Sequence, residues 1–176
     1  MEVKVMYRNL IIIGLFILIL LAGCGKSEEE IITEAYERAK EVFLDDSEIN
    51  YTYESNTVSL YLPDYLTVIE EDANNLILRR QDLTYIIFIN DFESPNSVTL
   101  YNLAEIDEYL LFESFEKDDQ FGFIRILQEP IEDNELYEIQ VGIGGVKITA
   151  NIPLERILTE ATELMKVAKS IIQSRF

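Results

Sequence analysis

The chain has 176 residues, 33 of them acidic and 14 basic, with a formal charge of −19, no histidine, no tryptophan and one cysteine. An acidic balance of that size keeps a domain soluble and monomeric, and it excludes nucleic acid, whose expected footprint is a basic stripe. The apolar and aromatic content is too high for a disordered chain. With one cysteine there is no internal disulfide, and without histidine there is no Ser-His or Cys-His nucleophile pair and no common zinc site.

Lys4 and Arg8 form a short basic segment, followed by an apolar run over 10–21 broken only by Gly14. A spanning helix needs about 20 apolar residues. A shorter run with basic residues before it and small residues after it reads as a signal peptide, residues 1–23. Leu21-Ala22-Gly23-Cys24 closes it. These four residues resemble the lipobox of bacterial lipoproteins. The resemblance implies a diacylglyceryl group on Cys24, cleavage between Gly23 and Cys24, and an address on the outer face of the bacterial cell membrane. The short basic segment and Gly25 favour a Gram-positive style of lipoprotein, with the outer membrane of a Gram-negative bacterium as the alternative address. Two acyl chains hold a protein stably where one does not. No Lys/Arg cluster near Cys24 adds attraction to anionic lipid. Residues 24–26 are then a lipidated tether, and 27–176 a single domain.

Ser27-Glu28-Glu29-Glu30 is a capping box, and its glutamates suit the positive end of a helix dipole. Ile31, Ala35, Ala39, Val42 and Phe43 repeat at helical spacing, so a helix is expected over 28–44. Strands are expected over 51–53, 57–62, 66–70 and 76–80, with turns at Pro63-Asp64, at 72–75 and at Gln81-Asp82. The run 84–89 is apolar on both faces, which predicts a strand near the sheet centre with cover above and below. A second helix, capped by Ser97 or Asn102, is expected to end near Glu108. Strands follow over 110–116, 121–128, 136–143 and 146–150, the last two joined by Gly144-Gly145. A final helix with one wide apolar stripe runs from Pro153, suited to the first helical position, to about Ser174.

The order is helix, five strands, helix, four strands, helix. Short connections favour an antiparallel sheet. The fold class is α+β: a mostly antiparallel sheet with helices on both faces, an α/β/α sandwich with amphipathic helices at both ends. With this element order, Leu60-Tyr61-Leu62-Pro63-Asp64-Tyr65 resembles the PsbP-like sandwich family. That resemblance implies adaptor, assembly or binding roles and assigns no site residue.

Three functional classes fit the composition. The first is a non-catalytic binding or assembly module for an envelope component or a basic protein partner, with Tyr51, Tyr53 and Tyr61 as a candidate partner surface. The second is a hydrolase of envelope glycan built on paired carboxylates, drawn from Glu70, Glu71, Asp72, Asp118, Asp119, Glu132, Asp133 and Glu135. The third is a divalent-cation-binding domain, although no calcium-loop pattern is present. Gly142-Ile143-Gly144-Gly145 lacks the Lys-Ser/Thr of a phosphate-cradling loop. No cofactor and no resident metal are expected.

Overall fold

A computed structural model of the protein describes residues 25–55, 57–128 and 136–175. Ser27 caps α1 (Glu28–Leu44): its hydroxyl accepts the Glu30 amide at 3.2 Å, and the Glu30 carboxylate accepts the Ser27 amide at 2.8 Å. Ile32, Ala35, Ala39 and Phe43 form the buried stripe of α1. The two alanines let a neighbouring helix approach closely. That neighbour is α3 (Ile157–Arg175), which lies beside α1 on one face of the sheet and runs in the same direction. Lys169, far along α3, donates to the carbonyls of Val42 and Asp45 at the end of α1.

Seven strands make the sheet: β3 (Thr67–Glu71), β4 (Asn75–Arg80), β5 (Leu83–Ile89), β6 (Leu111–Lys117), β7 (Gln120–Gln128), β8 (Leu136–Ile143) and β9 (Val146–Pro153). Their spatial order is β3-β4-β5-β9-β8-β7-β6, and every neighbouring pair is antiparallel. Two meanders, β3-β4-β5 and β6-β7-β8-β9, are thus sewn together by the β5–β9 pair. Alternation decides what each face carries. Tyr85, Ile87 and Ile89 of β5, Ile139, Val141 and Ile143 of β8, and Val146, Ile148, Ala150 and Ile152 of β9 pack beneath α1 and α3 as the main core.

The opposite face carries α2 (Thr99–Ala104), a helix of six residues. It sets Leu100 and Ala104 on Phe123, with Tyr101, Phe112 and Phe88 around them. Tyr101 stacks on Phe112 at 4.5 Å between ring centroids. The architecture is therefore an α+β sandwich with helices on both faces, the second layer being a single short helix.

Four expectations are corrected. α2 stops at Ala104 rather than near Glu108. Its cap position, Val98, has no side chain to bond the first amides, and by Leu110 the chain has already joined β7 through its bond to the Ile126 carbonyl. Pro153 is the last residue of β9, opposite Leu136, with extended backbone; a 3₁₀ turn (Leu154–Arg156) separates it from α3. The strands expected over 51–53 and 57–62 shrink to a two-residue pair, β1 (Tyr53–Glu54) and β2 (Ser59–Leu60). Beyond Leu60 the amides go to side chains instead, Tyr61 to Ser170 Oγ and Leu62 to Thr52 Oγ1. Finally, cover over β5 is incomplete. Phe88 lies under the α2 cluster, but Ile86, two residues earlier on the same face, is 43 % exposed. At ~1.5 Å per residue, a six-residue helix is too short to reach it.

Candidate binding site on the open sheet face

Gly23 and Cys24 lie outside the described residues, as do Glu132, Asp133 and Glu135. Gly25 and Lys26 lead directly into the Ser27 cap. Among the described residues no helix is long and apolar enough to cross a membrane. The three tyrosines of the candidate partner surface are not equivalent. Tyr51 is exposed, whereas Tyr53 and Tyr61 pack against the main core. The Tyr61 hydroxyl donates to Glu163 at 2.7 Å, and burial together with that carboxylate pushes its pKa up to about 12.

The acidic clusters sit at turns. Asp72 accepts the amides of Asn74 and Asn75, each at 2.8 Å, and these bonds hold its carboxyl below the usual range. Glu70, Asp118 and Asp119 are exposed, and Glu71 accepts from Thr57. Among the described residues no group of three or more acidic or cysteine side chains is placed to hold a metal ion.

Among the described residues the one carboxylate with no solvent exposure is Glu160, on α3. Its Oε1 accepts from Tyr85 at 2.9 Å and from Arg80 at 3.0 Å; its Oε2 accepts from Tyr65 at 3.0 Å. The Arg80 guanidinium also lies over the Tyr65 ring, 4.0 Å from its centroid. Burial, followed by the Glu160 charge, pushes both phenols well above the usual tyrosine range. This group ties β4, β5 and the segment after β2 to α3. The signal for it was in the sequence: Glu160 interrupts the apolar stripe between Ile157 and Leu164.

The open face is organised differently. Ile77, Ile86, Thr149, Gln140 and Arg125 stand in one row across β4, β5, β9, β8 and β7, each opposite the next. Arg125 is only 5 % exposed. Its Nη1 donates to the Ala104 carbonyl at the end of α2 at 2.6 Å, and its Nη2 pairs with Glu138. Gln140, 7 % exposed, donates to the same Glu138 oxygen at 3.0 Å. Two buried polar atoms here, Arg125 Nε and Gln140 Oε1, keep no partner among the described residues. Lys147 stands two residues from Thr149 on the same face, between Gly142 and Phe88. It makes no hydrogen bond or ion pair among the described residues. Burial, and then the Arg125 charge, pull its pKa below the usual lysine value. The face thus combines exposed aliphatic surface, a hydroxyl and a cation with no direct ion-pair partner among the described residues.

No family model, curated protein or solved structure matches this chain. What the fold defines is the class: an α+β protein whose sheet is packed under two long helices on one face and partly open on the other.

Proposed function

We propose that the protein is a lipid-anchored extracytoplasmic lipoprotein that acts as a non-catalytic binding or assembly module of the bacterial envelope. One observation carries this reading: α1, the first helix among the described residues, is capped by Ser27, three residues after Cys24 of the Leu21-Ala22-Gly23-Cys24 pattern. A leader that ends where a capped helix begins is the arrangement expected of a tethered domain. The outer side of α1 supports a basic protein partner, since Glu37, Glu41 and Asp45 line a shallow groove with Val42, Leu44, Thr162 and the Glu34–Arg38 pair. The saturation of Glu160 by three donors from Arg80, Tyr65 and Tyr85 supports a structural rather than a hydrolytic use of the buried carboxylate. The Leu60–Tyr65 resemblance to PsbP-like proteins points to the same range of roles.

The test is mass spectrometry of protein recovered from its own membranes, joined to crosslinking in the intact envelope. A diacylglyceryl group on Cys24, release of Cys24→Ser from the lipidated membrane fraction, and a crosslinked partner are expected. An unmodified thiol with the leader still attached overturns the reading.

A further inference from the structure

We infer that the open sheet face binds an amphipathic carboxylate, its apolar body along Ile77 and Ile86 and its anionic head at Lys147. This inference does not depend on the tether. Three observations carry it.

The first is the register. Ile77 and Ile86 are cross-strand partners, and Lys147, two residues from Thr149, is the diagonal neighbour of Ile86 on β9. Adjacent strands lie about 4.8 Å apart and diagonal neighbours about 7–8 Å apart, so the path from Ile77 through Ile86 to Lys147 spans about 12 Å, aliphatic at one end and cationic at the other, the length of a medium-chain acid. Ile86 is exposed although it lies mid-strand on the third of seven strands, where a finished core would cover it.

The second is the local charge. Glu138 is already engaged by Arg125 and Gln140 and acts on the Lys147 ammonium only at a distance, which leaves that ammonium with no direct ion-pair partner among the described residues. Its cross-strand neighbours, Gly142 and Phe88, are uncharged. In a chain of net charge −19 this is an exception to the prevailing sign, and a carboxylate head corrects it with a charge-assisted bond.

The third is incomplete polar satisfaction. Arg125 Nε, a donor, is buried beside this position without a partner among the described residues, and native structures rarely leave such atoms unmet. A carboxylate reached by the Lys147 ammonium adds an acceptor next to the guanidinium. A second copy of this chain is a poor occupant, because face-to-face pairing brings two Lys147 side chains together. A polyanion is disfavoured by the overall charge.

Octanoate is the probe, because it is amphipathic, anionic and soluble as a monomer. Its binding is read by saturation-transfer NMR on the full chain, in nanodiscs if it partitions into them and in buffer if it does not, with empty nanodiscs as background. Saturable octanoate binding above that background is expected, with none for octyltrimethylammonium, which has the same tail and the opposite charge. Lys147→Gln weakens it at least about tenfold, the loss typical of a charge-assisted hydrogen bond, and Lys147→Arg retains most of it. Ile86→Thr, a change at an exposed position, weakens it through the tail. Thermal melts matching the parent show that these variants remain folded. Binding no stronger than to empty discs, or equal binding by the parent and Lys147→Gln, overturns the inference. Displacement of octanoate by an acidic hexapeptide at lower concentration than octanoate itself overturns the ligand class in favour of an acidic protein segment.

Discussion

Tyr85 donates its phenol hydroxyl to Glu160 at 2.9 Å, and both residues are fully buried between the sheet and α3. The same carboxylate holds Arg80 and Tyr65. A buried charge is tolerated when it is paired and its lone pairs are met, and Glu160 satisfies both conditions. Removing it strands two phenols and a guanidinium. Glu160→Ala is therefore expected to cost about 3–5 kcal/mol, the usual penalty for breaking a buried pair from one side. Glu160→Gln keeps an acceptor oxygen and should cost less. Urea unfolding of each variant checks the order; equal stabilities would refute a central role for this carboxylate.

Alkaline pH acts on the same layer. Tyr61 is raised to about 12, and Tyr65 and Tyr85 are raised further by burial and Glu160. A phenol in the unfolded chain releases its proton near pH 10. Above that pH the unfolded state binds fewer protons than the native state, so stability falls as pH rises. Buried lysines push the other way: Lys147 and Lys169 are lowered by burial and lose their protons in the native state first. Three large tyrosine shifts outweigh two smaller lysine shifts. Urea midpoints are expected to hold up to about pH 10 and fall beyond it. Tyrosinate absorbance should show Tyr61, Tyr65 and Tyr85 titrating only as the fold is lost.

How far the sequence revealed this molecule follows from what each signal depends on. α1 and its cap were readable because Ser27 and Glu30 satisfy one another locally. The strands of the two meanders were readable because alternation is enforced by a buried face. The Gly144-Gly145 hairpin was readable from its positive φ requirement, met at Gly144 with φ of +52°. The extent of α2 was not, because nothing local ends it; it stops where Leu110 finds the Ile126 carbonyl on β7. The fate of Pro153 was not, because a proline suits a strand end as well as a first helical turn. The open face escaped for a different reason. Periodicity said that Ile86 and Phe88 share a face, but only tertiary placement of a six-residue helix decides that Phe88 is covered and Ile86 is not. The Arg125–Gln140–Lys147 grouping depends on register between β7, β8 and β9, which no single stretch encodes.

The start of the domain is a modest and measurable contributor. Ser27→Ala removes the side chain that accepts the Glu30 amide, and with it half of the capping box. A loss of about 1 kcal/mol is expected, with the effect concentrated in the first turn of α1. Hydrogen exchange should therefore rise at Glu29 and Glu30 but not at Phe43, which is buried against Phe115 at 5.2 Å between ring centroids. Uniform loosening along α1 would argue that its packing against α3, and not the cap, sets the stability of this end.

Gly144 is the position where a single added carbon should do most damage. Its φ of +52° disfavours any side chain. A Cβ built there also meets backbone, the carbonyl oxygen of Ser94 and the Cα of Pro95 at 2.7 Å. Backbone cannot swing aside as a side chain end can. The approach matters because the 90–97 loop is docked here directly, through Asn90 N–H to the Gly145 carbonyl at 2.8 Å, and by way of β7, through Phe121 N–H to the Pro95 carbonyl at 3.0 Å with Gly144 N–H to the Phe121 carbonyl at 2.9 Å. Gly144→Ala adds backbone strain to overpacking, for an expected loss of about 2–4 kcal/mol. Gly25→Ala, with open space around the added carbon, is the matched control and should leave stability unchanged. Amide exchange at Asn90 and Phe121 should quicken in Gly144→Ala, because the loop must move away before the methyl fits. A variant that loses stability while those two amides stay protected would place the strain in the hairpin itself and not in the docking of the loop.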